Sequence, residues 1–132
     1  MSNTTHSVRV YYEDTDLTGV VYHAGYLRFM ERGRTEFLRA HGIENGALWA
    51  ADNPLAFVVA HMDIAFRAPA RMDDWLDVVT TVAEVSAARL VLFQTIQRSG
   101  QTLVEATVTV AAIDGAGRAR RLPDVLRGLL AQ

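Results

Sequence analysis

One change of period constrains this chain more than any other feature. Residues 25 to 41, GYLRFMERGRTEFLRAH, place apolar side chains at three- and four-residue spacing, and four strand-like runs then follow in succession. Leu27, Met30, Arg34, Phe37, Leu38 and His41 fall on one face, which predicts an amphipathic helix. Tyr26, Phe29 and Gly33 widen that face, as expected of a helix largely surrounded by a sheet. Gly42 suits the position just past a helix end, and Arg39 and His41 suit the negative end of its dipole.

The following runs read as strands. Residues 55 to 67, LAFVVAHMDIAFR, are long enough for a helix, but their β-branched and aromatic content and the break at Ala68-Pro69 favour a strand. Further strands are expected over 75–85, 89–98 and 102–114. The last alternates cleanly, with Val104, Ala106, Val108 and Val110 opposite Glu105, Thr107 and Thr109. Ser99-Gly100 predicts a hairpin turn. Ahead of the helix, residues 7 to 13 put Val8, Val10 and Tyr12 on one face of an expected strand, and Arg9, Tyr11 and Glu13 on the other. PDVLRGLL reads as a short closing helix with Pro123 near its start. Strands that follow one another favour an antiparallel sheet with the helix on one face. The expected class is α+β, with about five strands around one long central helix.

Composition narrows the function. The 132 residues contain no repeat or linker-like tract, so one domain over 1–132 is expected. A net charge of −2 gives no general attraction to nucleic acid or an anionic membrane. The absence of cysteine removes disulfides, thiol nucleophiles and thiolate metal sites. The start, MSNTTHSVRV, lacks the apolar core of a secretory signal, and no apolar run reaches membrane-spanning length, so a soluble cytoplasmic protein is expected.

The chemistry concentrates in YYEDTDLTGVVYHAGY, residues 11 to 26, which leads into the helix through the turn-forming DTDLTG. Asp14 and Asp16 resemble the start of a calcium loop, but the twelfth position from Asp14 is Gly25, where a bidentate Glu is needed. His6, His23, His41 and His61 show no metal-ligand spacing, and no phosphate-binding loop or G-x-S-x-G elbow occurs. What remains is a carboxylate seven residues before a histidine, at a turn that feeds a helix N-terminus. Free N–H groups there can hold an oxyanion, and an aspartate nearby can attack a carbonyl or draw a proton from water. Acyl transfer suits these parts. The plainer alternative is that both aspartates cap turns and the aromatic residues are core.

The stretch from Tyr11 to Gly42, YYEDTDLTGVVYHAGYLRFMERGRTEFLRAHG, resembles the start of hotdog-fold acyl-CoA thioesterases of the 4-hydroxybenzoyl-CoA thioesterase class. Within that class it is most similar to the bacterial Tol–Pal-associated acyl-CoA thioesterases, and the likeness continues through AFVVAHMDIAFRAPARMDD over nearly the whole chain. The resemblance implies an antiparallel sheet wrapped around the long helix and hydrolysis of acyl-CoA thioesters, of short to medium aliphatic chain, without metal or other cofactor. It places the catalytic carboxylate at Asp16 and the carbonyl-polarising amide at or next to His23. Tyr22, Ala24, Gly25 and Tyr26 would line the pocket, Val58, Val59 and Met62 would add apolar lining, and Arg67 and Arg71 would hold CoA phosphates, with Arg89, Arg118, Arg120 and Arg121 as further candidates. Other hotdog thioesterases carry the acid on the helix, where Glu31 and Glu36 lie; here these are expected to be structural, paired with Arg32 or Arg34. The family's usual state implies a homodimer or homotetramer. A hotdog protein that binds an acyl thioester or acyl carrier protein without hydrolysing it is the main alternative; a hydratase of the same fold and an interaction partner in envelope maintenance are lesser ones.

Overall fold

The alternation in the second half of the chain builds a five-stranded antiparallel sheet in the computed structural model, which describes residues 3–131. Met1, Ser2 and Gln132 lie outside the described residues. The strands are β1 (Asn3–Arg9), β2 (Ala56–Phe66), β3 (Trp75–Val85), β4 (Arg89–Arg98) and β5 (Gln101–Ile113), in the spatial order β1-β3-β4-β5-β2. The helix α1 (His23–Ala40) packs on β1, β3 and β4, and the short α2 (Asn45–Ala50) packs on β2. A third helix, α3 (Asp124–Leu130), meets β3.

Alternation decides which side chains enter the core. Leu76, Val78, Thr80 and Val82 of β3, Leu90, Leu92, Gln94 and Ile96 of β4, and Val104, Ala106, Val108 and Val110 of β5 are all buried. Against them α1 buries Tyr26, Phe29, Met30, Gly33, Phe37 and Leu38. Leu27, expected on this face, is exposed, because the buried stripe centres on Phe29, Gly33 and Phe37. Hydrogen bonds from Gly42 N–H to Arg39 and from Ile43 N–H to Leu38 end the helix, with Gly42 at φ +78°. Ser99 and Gly100 both take positive φ between β4 and β5, as a tight hairpin turn requires.

The first strand differs from its expected span. It stops at Arg9, and Val10 pairs instead with Asp73 and Asp74. The chain then enters a one-turn 3₁₀ helix, Tyr12–Asp14, whose Asp14 Oδ2 accepts the Tyr11 amide at 2.8 Å. Tyr12 is therefore 81% exposed rather than in the core. The six residues of α2 are too few to show a helical period, and the sequence reading passes over them.

The contact between α1 and the sheet is close at one point. A Cβ on Gly33 would stand 2.6 Å from Val78 Cγ1. Beside it Gln94 Nε2 donates to the Met30 carbonyl at 3.0 Å and to Thr80 Oγ1 at 2.9 Å, while Arg34 donates to Gln94 Oε1 at 3.1 Å. The buried amide is thus satisfied on both ends. Gly33→Val is expected to cost about 1–3 kcal/mol of stability in urea denaturation. Gly46→Ala, where an added Cβ meets nothing within 4 Å, is expected to cost none. Equal stability of wild type and Gly33→Val would contradict the close seat.

Candidate active site

The DTDLTG segment folds as a miniature hairpin. Thr15 bridges Val21, the Asp16 amide donates to the Val20 carbonyl at 2.9 Å, and the Gly19 amide returns to the Asp16 carbonyl at 3.0 Å. Gly19 sits at φ +82°, which explains a glycine at the end of this turn. The hairpin is anchored to Ala70, whose carbonyl accepts the Val21 amide at 2.8 Å and whose own amide donates to Tyr26 Oη at 2.9 Å. One buried residue thereby ties the turn to the first turn of α1. Arg98 Nη1 holds the same loop from below, through Asp74 Oδ2 at 2.6 Å and the Pro69 carbonyl at 3.3 Å.

The start of α1 lies against this hairpin. The Tyr22 amide donates to the Asp14 carbonyl at 3.0 Å, and the Gly25 amide to the Tyr22 carbonyl at 2.7 Å. Among the described residues the His23 and Ala24 amides have no backbone acceptor, and no side chain caps the helix. Gly25 is buried, and a Cβ there would meet Val21 Cγ1 at 3.2 Å. Its smallness lets the hairpin approach the helix end.

These elements open a cleft of about 380 Å³. Asp16, Tyr22, His23, Tyr26 and Arg67 all line it, so the structure brings together these five of the residues picked out from sequence. The His23 ring lies 4.5 Å from Tyr22 and meets Phe66 edge-on at 6.4 Å, and Phe66 also contacts Tyr26 at 5.7 Å. Burial pushes the Tyr26 phenol up, against the opposing bond from the Ala70 amide. Asp16 is exposed at the lip, and its pKa is lowered by the Thr18 hydroxyl and then the Thr18 amide. An ionised carboxylate, unpaired helix amides and an aromatic wall can together receive and attack a polarised carbonyl.

The other candidates do not line it with their side chains. Ala24 and Gly25 contribute backbone at the helix start. Val58 is exposed on the outer face of β2, and Val59 lines a separate cavity of about 90 Å³ with Glu31, Arg34 and Phe57. Arg71 is exposed beside the hairpin, where it bridges Val20. Arg67 forms an ion pair with Glu105, so its charge is already compensated. Arg120 donates to the carbonyls of Asn53 and Pro54. Glu31 accepts from Thr35 and acts electrostatically on Arg34, as expected, whereas Glu36 pairs with Arg39 instead; neither acid lines the Asp16 cleft. Sequence reasoning missed Phe66, whose one signal is an aromatic side chain two residues before the Ala-Pro break. It also missed the Arg98–Asp74 pair, which joins residues far apart in the chain. No three His, Asp or Glu side chains converge as a metal site among the described residues.

Residues 10–130 match the thioesterase-like superfamily. The chain is 48% identical over 108 residues to the acyl-CoA thioester hydrolase YbgC of Escherichia coli O6:H1, covering 81% of this chain and 79% of that protein. It is likewise 48% identical over 107 residues to the acyl-CoA thioesterase YbgC of Haemophilus influenzae, covering 81% and 78%. The crystal structure of the "Probable Thioesterase" from Bartonella henselae superposes with a TM-score of 0.90 at 44% identity, over 92% of this chain and all (100%) of that one.

The loop that carries Ala70 generates a pH prediction. Burial opposes ionisation of Asp74, yet the Arg71 amide and Arg98 bring its pKa below the ordinary value. The stability it contributes is therefore present above the unfolded-chain pKa and lost as pH falls through the lowered folded one. Asp74→Asn is expected to flatten stability against pH through and below the ordinary aspartate range. Urea denaturation at successive pH values reads this, and parallel curves for variant and wild type would contradict it.

Proposed function

The chain belongs to the thioesterase-like superfamily, and from that premise we propose how Asp16 and the first amides of α1 carry its hydrolysis of acyl-CoA thioesters. The observation that supports this most directly is the shared cleft of Asp16, His23 and Tyr26 at an uncapped helix start. The thioester carbonyl oxygen lies toward the His23 and Ala24 amides, where the developing negative charge meets N–H dipoles already in place. Asp16 Oδ2 then acts in one of two ways. It takes a proton from a water whose oxygen bonds the carbonyl carbon, the C–S bond breaks, and the departing thiolate receives that proton. Alternatively Oδ2 itself bonds the carbonyl carbon, expels the thiolate and forms a mixed anhydride that water cleaves. Both routes consume one water and yield a free acid and CoA.

Phe66, Tyr26 and Tyr22 form the apolar side for a short- to medium-chain acyl group. In this reading Arg67, at the cleft, and Arg71, exposed beside the hairpin, meet CoA phosphates, Arg67 by exchanging Glu105 for the substrate. β2 is an edge strand of 11 residues with Val58 and Val59 exposed, and pairing with a second copy covers it. Phe66, at its end, sets the cleft beside that edge, so a homodimer or homotetramer belongs to the same proposal. So do a cytoplasmic setting and acyl carrier protein as a second thioester carrier. No described helix is long and apolar enough to cross a membrane.

A CoA-release assay from acetyl to palmitoyl thioesters, with one aromatic thioester, tests the reading. Turnover is expected for short to medium chains, and Asp16→Asn is expected to lower kcat about a hundredfold or more while KM changes little. Tight binding without turnover across the set would favour the non-hydrolytic binder. Full activity in Asp16→Asn would remove the carboxylate from the mechanism.

A further inference from the structure

We propose that Thr18 is a positioning residue, which holds one oxygen of the Asp16 carboxylate within the turn so that the other faces the cleft. This rests on the reading of Asp16 as the reacting carboxylate. Thr18 Oγ1 donates to Asp16 Oδ1 at 2.7 Å, and the Thr18 amide donates to the same oxygen at 2.8 Å. Among the described residues Asp16 Oδ2 receives no hydrogen bond. An exposed aspartate at a cleft lip otherwise rotates freely; two donors on one oxygen fix both its place and its plane.

The turn itself does not require the hydroxyl. Its closure uses the Gly19 amide and the Asp16 carbonyl, and an aspartate at its first position accepts the amide of residue 18 whatever side chain stands there. The hydroxyl bond is additional. The β-branch of threonine restricts its own rotation as well, so the donor is aimed rather than searching. Two donors on the charged form also favour ionisation, which agrees with the lowered pKa of Asp16. A carboxylate held this way offers Oδ2 as a pre-aimed, ionised group, for attack or for proton abstraction.

Valine and serine separate the two contributions at this exposed position. Thr18→Val keeps the branched shape without the donor and is expected to lose about tenfold in kcat/KM, mainly in kcat. The acid limb of its rate profile should move up by about one pH unit. Thr18→Ser, which restores the donor, should return both toward wild type. Titration of the Asp16 carboxyl carbon by ¹³C NMR checks the same point in the unaltered protein, where it should ionise below the ordinary carboxylate range, and should rise in Thr18→Val. Should Thr18→Val fail to fold, the wild-type titration decides. An ordinary Asp16 pKa in wild type, or a Thr18→Val enzyme with wild-type rate and titration beside an inert Asp16→Asn, would overturn the role of Thr18 and leave that of Asp16 standing. An active Asp16→Asn would instead overturn the reading on which it rests.

Discussion

Gly33 lets α1 lie on β3 at a distance that no side-chain carbon permits, since a Cβ there would come within 2.6 Å of Val78 Cγ1. The Gln94 amide, reaching from β4 to the Met30 carbonyl, fixes the rotation of the helix at that depth. A rod seated at its middle has determined ends. The C-terminal end closes over Gly42, and the N-terminal end emerges where the 67–74 loop waits with Ala70. Tyr26 and Val21 both bond to Ala70, so the depth of the helix sets the separation between its first amides and the Asp16 hairpin. The site is thus a consequence of packing several turns away.

The lowered pKa of Asp16 bears on its chemistry. A general base works best with a pKa near the operating pH, and the Thr18 donors move Asp16 away from that range. For a nucleophile the same two donors help by aim, since they fix one oxygen and leave the other free. On the proposed reading, the turn geometry serves either route, and substrate that covers the lip strengthens the attraction of the helix amides for the developing oxyanion.

Much of this was legible in the residues because local patterns and global packing agree. The strands over 75–85 and 89–98 fall where alternation puts them, and α1 begins two residues before its expected start because Tyr22 makes a serviceable boundary without a capping side chain. Illegible parts share a cause: they are made between distant residues. The register that sets Ala65 against Glu105 brings Arg67 to an acid nearly forty positions away, and nothing in either segment announces the pairing. Phe66 enters the cleft through the end of a strand that the sequence shows only as apolar. Val58, exposed on β2, and Val59, in the separate cavity with Glu31 and Arg34, lie apart from the Asp16 cleft, a placement that apolar character alone does not reveal.

On the proposed reading the reacting carbonyl lies between the side chain of residue 16 and the amides that begin α1. A crystal structure of the Asp16→Asn protein with a bound acyl-CoA thioester tests it most directly. The thioester oxygen is expected within hydrogen-bond distance of the His23 or Ala24 amide, with the carboxamide of residue 16 facing the carbonyl carbon. A thioester seated away from both, for instance in the cavity lined by Glu31 and Arg34, would contradict the account.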